Sequence, residues 1–96
     1  MKKISKIKAQ NPFLIKNLKF LRNYCELTHQ QIADVLHIDR SAYSYWECGK
    51  TTPTLHSITA LIELYRVKGI NLDYNLLLDG FITSSIIQKI SKCRYF

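Results

Sequence analysis

Leu27 to Pro53 reads LTHQQIADVLHIDRSAYSYWECGKTTP. Two short amphipathic segments follow one another in it, each with its own start signal. Thr28 and Gln31 form a T-x-x-Q capping box, in which the hydroxyl accepts from a first-turn N–H and the amide reaches back to the cap. Leu27 before that cap and Ile32 four residues inside it match a hydrophobic staple. Ile32, Ala33 and Leu36 then make one apolar stripe. The pattern restarts with Asp39 as N-cap, Ile38 and Tyr43 as a second staple, and Tyr43 with Trp46 as the buried side. Gly49 supplies a left-handed stop. The spacing predicts two helices of about eight residues joined by a three-residue link from Leu36 to Asp39.

Those are the dimensions of a helix-turn-helix, whose second helix can enter the major groove of DNA. The ordered set Thr28, Ile32-Ala33, Leu36, Ile38, Trp46-Glu47, Gly49-Lys50 and Pro53 resembles the DNA-binding domain of the phage lambda repressor–Cro family. With the flanking helices the likeness runs from about Ile15 to Leu78. Two positions depart from the family's habit. His29 stands where Gln is usual, and His37 stands at a turn where Gly is frequent. Histidine is among the non-glycine residues that best tolerate positive φ, so the turn is expected to survive.

Composition narrows the alternatives. Ninety-six residues suit one compact domain, and a chain of that size buries about 60–65% of its unfolded surface. No apolar run reaches the ~18 residues of a membrane span, and the basic start MKKISKIKAQNP has no apolar stretch behind it as a secretory signal would. Cys25, Cys48 and Cys93 are odd in number, at spacings that suit neither zinc nor a disulfide framework. A reducing cytoplasm is the expected setting, with no metal and no cofactor. Net charge is +7 and sits at the ends. Residues 1–22 carry seven basic groups and no acid, residues 23–80 carry four basic and seven acidic groups, and residues 81–96 add three basic ones. A basic arm of this kind is a sequence-independent grip on phosphate, or simply a solubilising tail.

The reading along the chain is all-α: a five-helix, lambda-repressor-like domain with an extra C-terminal helix in prospect. Residues 1–11 form the arm, 12–80 the helix-turn-helix domain and 81–96 an amphipathic tail. Asn11 caps a first helix that starts at Pro12 and runs to about Glu26, with Leu14, Ile15, Leu18, Leu21 and Cys25 on its buried face. Thr54 caps a fourth helix with Leu55, Ile58, Leu61, Ile62 and Tyr65 as stripe, and Asn71 caps a short fifth ending at Leu78. Thr83 or Ser84 caps a sixth, where Ile86, Ile87, Ile90 and Cys93 need an apolar partner. That partner is either the chain's own domain or a second copy, and the tail reads as a dimerisation helix.

The exposed face of the second motif helix comprises Arg40, Ser41, Ser44 and Tyr45. The family's base-reading positions fall on Arg40, Ser41 and Tyr45. Arg40 can reach guanine O6 and N7 with both arms of its guanidinium. Thr28 and His29, and then Lys50, Thr51 and Thr52, match the backbone-contacting positions and are expected on phosphates. The resemblance implies an ion pair between Arg22 and Glu47 that ties two helices together. It also implies a sequence-specific transcriptional regulator, a small dimeric repressor reading a near-palindromic duplex. A different class is an antitoxin or partner-controlled interaction module with secondary DNA binding, which the net acidity of the core keeps open. No enzyme is expected: His29, His37 and His56 fall in turns and first turns with no paired carboxylate or phosphate loop.

Overall fold

A computed structural model describes residues 11–91. The arm, apart from Asn11, and Lys92, Cys93 and Arg94 lie outside the described residues. Six helices run in order: α1 Pro12–Tyr24, α2 His29–Leu36, α3 Arg40–Cys48, α4 Leu55–Val67, α5 Tyr74–Leu78 and α6 Ser84–Ile90. Among the described residues there is no strand, only an isolated antiparallel bridge between Ile70 and Ser91. The all-α reading holds.

The start signals act locally, as their chemistry requires. Asn11 Oδ1 accepts from the backbone of Phe13 at 2.9 Å and of Leu14 at 3.2 Å. The Thr28 hydroxyl accepts from Gln31 N at 3.0 Å, and Thr28 N donates to the Gln31 side chain at 2.8 Å, which completes the capping box. The Thr54 and Thr83 hydroxyls likewise accept from Ser57 N and Ile86 N at the starts of α4 and α6, without the reciprocal bond. Asp39 occupies the cap position of α3 with extended backbone, but its carboxylate makes no capping bond.

Stops follow one geometry. In α1 to α4 a left-handed residue turns the chain, and the next N–H reaches back five residues: Leu27 N to Arg22 O, Ile38 N to Ala33 O, Lys50 N to Tyr45 O and Ile70 N to Tyr65 O. That closure satisfies carbonyls the helix leaves orphaned. Gly49 does this at φ 80, where a side chain would be strained. His37 does it at φ 60 without being glycine. A left-handed conformation costs an L-residue about 1–2 kcal/mol, part of which glycine returns as chain entropy. Replacing the exposed His37 with glycine is therefore expected to raise stability by about 0.5–1 kcal/mol. A urea midpoint that fell for His37→Gly would show that the imidazole makes a compensating contact.

Two boundaries and one stripe residue differ from the sequence reading. α1 ends at Tyr24, because Glu26 takes φ 56 and closes the helix. α5 is capped by Asp73, whose Oδ1 accepts from Leu76 N at 2.8 Å, and not by Asn71. Asn71 N instead donates to Ile90 O at 2.7 Å, so that stretch is extended against the end of α6. Leu55, placed on the α4 stripe, is exposed in the first turn.

The core is one cluster. Leu14, Leu18 and Leu21 of α1, Ile32 of α2, Tyr43 and Trp46 of α3, Ile58, Leu61, Ile62 and Tyr65 of α4, and Leu77 and Leu78 of α5 all belong to it. So do Ile82 and Ile87, with Ile86 and Ile90 packed at its edge. The apolar side of α6 thus folds back on its own domain. Tyr43 with Trp46 form an edge-on ring pair at 5.8 Å that seats α3.

Candidate nucleic-acid interface

α3 divides cleanly around its axis. At roughly 100° per residue, Arg40, Ser41, Ser44, Tyr45 and Cys48 span about 140° of arc, and Tyr43, Trp46 and Glu47 occupy a separate arc of about 100°. The burial pattern follows that division. Arg40, Ser41, Tyr45 and Cys48 are exposed, Ser44 is half-buried, and Tyr43, Trp46 and Glu47 are buried. The buried side anchors the helix, and its outer flank is left to meet a partner.

Glu47 explains why a charged residue sits on the inner side. It is 4% exposed. Arg22 Nε donates to its Oε2 at 2.7 Å and Arg22 Nη2 to its Oε1 at 3.2 Å. The same guanidinium donates through Nη1 to Leu27 O at 3.2 Å. Arg22 therefore ties together α1, the loop before α2, and α3. Burial alone raises the Glu47 carboxyl, but the hydrogen bonds and charge of Arg22 outweigh it and hold the group below the ordinary carboxylate range. The hydrogen bond to Glu47 in turn raises Arg22 above its ordinary value. Burial pushes the Tyr43 and Tyr65 hydroxyls well up, so both stay neutral.

His29 is the position where the geometry departs most from expectation. Its Nε2 lies 3.3 Å from Glu47 Oε1 and its Nδ1 lies 3.0 Å from Ser44 Oγ. The ring also packs against Tyr43 at 5.6 Å. Both ring nitrogens are thus engaged with groups of α3. At this position the outward donor is the backbone N–H of the first turn of α2. Serine, imidazole and carboxylate in a row are also a hydrolase's components. Here Arg22 already matches the charge of the carboxylate on both oxygens, which leaves little to strengthen the imidazole as a base.

The segment after Gly49 lies beside this flank. Lys50 Nζ sits 5.3 Å from the centroid of the Tyr45 ring, a cation–π contact at an exposed site. Thr51 is exposed and Thr52 half-buried, ahead of a buried Pro53. Thr28, at the start of α2, is exposed. Among the described residues no three His, Cys, Asp or Glu side chains gather into a metal-holding group, and no helix is long and apolar enough to cross a membrane.

A helix-turn-helix domain family matches residues 17–74 of the chain. The chain belongs to that family. The matched helix-turn-helix segment takes in most of α1 and the whole of α2, α3 and α4, and stops before α6. Over 77 residues the chain is 35% identical to the uncharacterized HTH-type transcriptional regulator YqaE of Bacillus subtilis (strain 168), covering 80% of this chain and 62% of that one. Over 52 residues it is 35% identical to the HTH-type transcriptional activator BcrR of Enterococcus faecalis, covering 54% of this chain and 26% of that one. The chain therefore spans less than two thirds of either relative. No solved structure matches it significantly.

Sequence reasoning missed two residues of this helix-turn-helix unit. The inward turn of His29 was not foreseen, although an imidazole one residue after the cap and a buried Glu47 were both visible. The other is Asn17, 1% exposed in the middle of α1. Around the helix it falls between Leu21 and Phe13, in an arc that is otherwise apolar, and a polar residue inside an apolar arc was the available signal.

Proposed function

We propose that this chain is a sequence-specific DNA-binding regulator of transcription in the lambda repressor–Cro manner. α3 lies in the major groove, and Arg40, Ser41, Ser44 and Tyr45 face the bases. Thr28, the first-turn backbone at His29, Lys50, Thr51 and Thr52 meet the phosphates on either side. The observation that carries this reading is the division of α3: a helix locked from behind by Tyr43, Trp46 and Glu47 offers a polar flank of short residues and one arginine. Both named relatives being transcriptional regulators supports it.

The reading extends to a dimer on a near-palindromic operator, with half-sites about 34 Å apart. Ile87 is committed to the core, so a pairing surface on the tail would use exposed Phe81 with the half-buried Ile86 and Ile90. Operator occupancy by a compact dimer acts as repression wherever the site overlaps a promoter. Residues 1–11 serve as a basic arm beside the duplex.

Two substitutions test the assignment. Arg40→Ala is expected to erase preference for one base pair, a loss of about 1–3 kcal/mol of discrimination, while most non-specific binding remains. Lys50→Ala is expected to weaken all duplexes alike and to reduce the slope of log K against log salt by about one. Selection from a random duplex pool, followed by salt titration, reads both. Unchanged base preference in Arg40→Ala would remove α3's outer flank from the reading face.

A further inference from the structure

His29 and Ser44 meet across the angle between α2 and α3, and the chemistry at the far end of the imidazole settles the direction of both hydrogen bonds. Glu47, paired on both oxygens with Arg22, is a carboxylate and can only accept. His29 Nε2, 3.3 Å from Glu47 Oε1, must therefore carry the hydrogen. A neutral imidazole has one N–H, so Nδ1 is bare and accepts. Ser44 Oγ, 3.0 Å away, then donates its single hydrogen to Nδ1. What Ser44 has left for anything outside the protein is lone pairs. Among the described residues no other side-chain donor lies within hydrogen-bond distance of either ring nitrogen, and the Tyr43 ring packs on the imidazole tilted by 57°.

We propose that His29 is a positioning residue for base recognition: by taking the only hydrogen of Ser44, it makes that hydroxyl an obligate acceptor on the outer flank of α3. An acceptor there selects a base whose major-groove edge offers an exocyclic amino group. Adenine, through N6, and cytosine, through N4, are favoured at the facing position over guanine and thymine, which present only acceptors there. Ser44 without His29 would be indifferent, since a free hydroxyl rotates to donate or accept as the base requires. The inference rests on the proposed reading of DNA by α3. It goes further in assigning a hydrogen-bond polarity to one position and placing its origin on a different helix.

Selection from a random duplex pool at pH 8 tests this with four proteins beside the wild type and Arg40→Ala. The wild type is expected to enrich adenine or cytosine at one position by about two- to tenfold, the worth of a single hydrogen bond. Ser44→Ala should flatten that position alone. His29→Met, which fills similar space without hydrogen bonds, should flatten the same position, and the double variant should add nothing further. His29→Gln, with an acceptor and a donor in one side chain, should restore the preference. The Arg40-dependent position serves throughout as the internal sign that a variant is folded and bound. If the position lost in Ser44→Ala carries guanine or thymine in the wild type, the proposal is overturned without any His29 variant. It is also overturned if His29→Met keeps the preference that Ser44→Ala removes. It falls as well if Ser44→Ala changes no position while Arg40→Ala still does, an outcome that leaves α3's reading of DNA standing. Failure of the wild type to enrich any sequence would sink that underlying reading itself.

Discussion

Glu47→Ala is expected to lower stability by about 3–5 kcal/mol, the range seen when one partner of a buried ion pair is removed. A domain of this size holds about 5–15 kcal/mol in total, so the loss is severe. Its cause is the group left behind. Arg22 is four-fifths buried and bonded to both oxygens of Glu47, and alanine leaves that guanidinium without an anion. His29 loses the acceptor for its Nε2 in the same step. Glu47→Gln keeps the shape and one acceptor and should cost less than the alanine. The carboxyl is held below its ordinary value in the folded chain. Its contribution is therefore fully present above the unfolded value near 4.5 and is lost as pH falls through the folded value. The stability difference between wild type and Glu47→Gln should stay level from pH 7 to about 4.5 and shrink below that. Urea midpoints across this range measure it. Parallel curves down to pH 3 would mean that Glu47 is not the anion that fastens α3 to α1.

The features legible in the sequence were those whose cause lies within about five residues. The Thr28–Gln31 box, the left-handed turn at His37, the Gly49 stop and the Asn11 and Thr54 caps are each written into adjacent residues, and each stands in the structure where its chemistry puts it. The Arg22–Glu47 pair came from the family resemblance, since nothing local links two residues 25 apart. The features that escaped have distant or competing causes. Glu26 turns left-handed with no glycine to announce it. Asn71 is a good cap by composition, but the carbonyl of Ile90 draws its N–H away and leaves the cap to Asp73. The outward face of α3 was visible from helical periodicity. The commitment of His29 and Ser44 to each other was not, because two residues 15 apart meet only once α2 and α3 have packed.

Asn17→Leu is the sharpest test of how the C-terminal third is held. The Asn17 carboxamide donates to Leu77 O and to Gly80 O, both at 2.7 Å, and its oxygen accepts from Ile82 N at 2.8 Å. These bonds join α1 to the last turn of α5 and to the chain entering α6, across more than 59 residues of sequence. Leucine fills nearly the same space and suits a helix better, so on apolar burial alone it would stabilise. It also strands two carbonyls and the buried N–H of Ile82, and a buried polar group left without a partner costs about 1–3 kcal/mol. Polar loss should outweigh apolar gain, for a net destabilisation of about 3 kcal/mol. That corresponds to a melting point lower by about 12–24 °C. The damage should also be uneven. Amide exchange at Ile82 and Ile87 is expected to quicken before that at Ile32, because α2 and α3 keep their own caps and the Arg22–Glu47 tie. If Asn17→Leu melts within a few degrees of the wild type, the carboxamide is incidental, and α5 and α6 must be held by apolar packing alone. If Ile32 and Ile82 quicken together, Asn17 supports the whole fold and not the attachment of its last two helices.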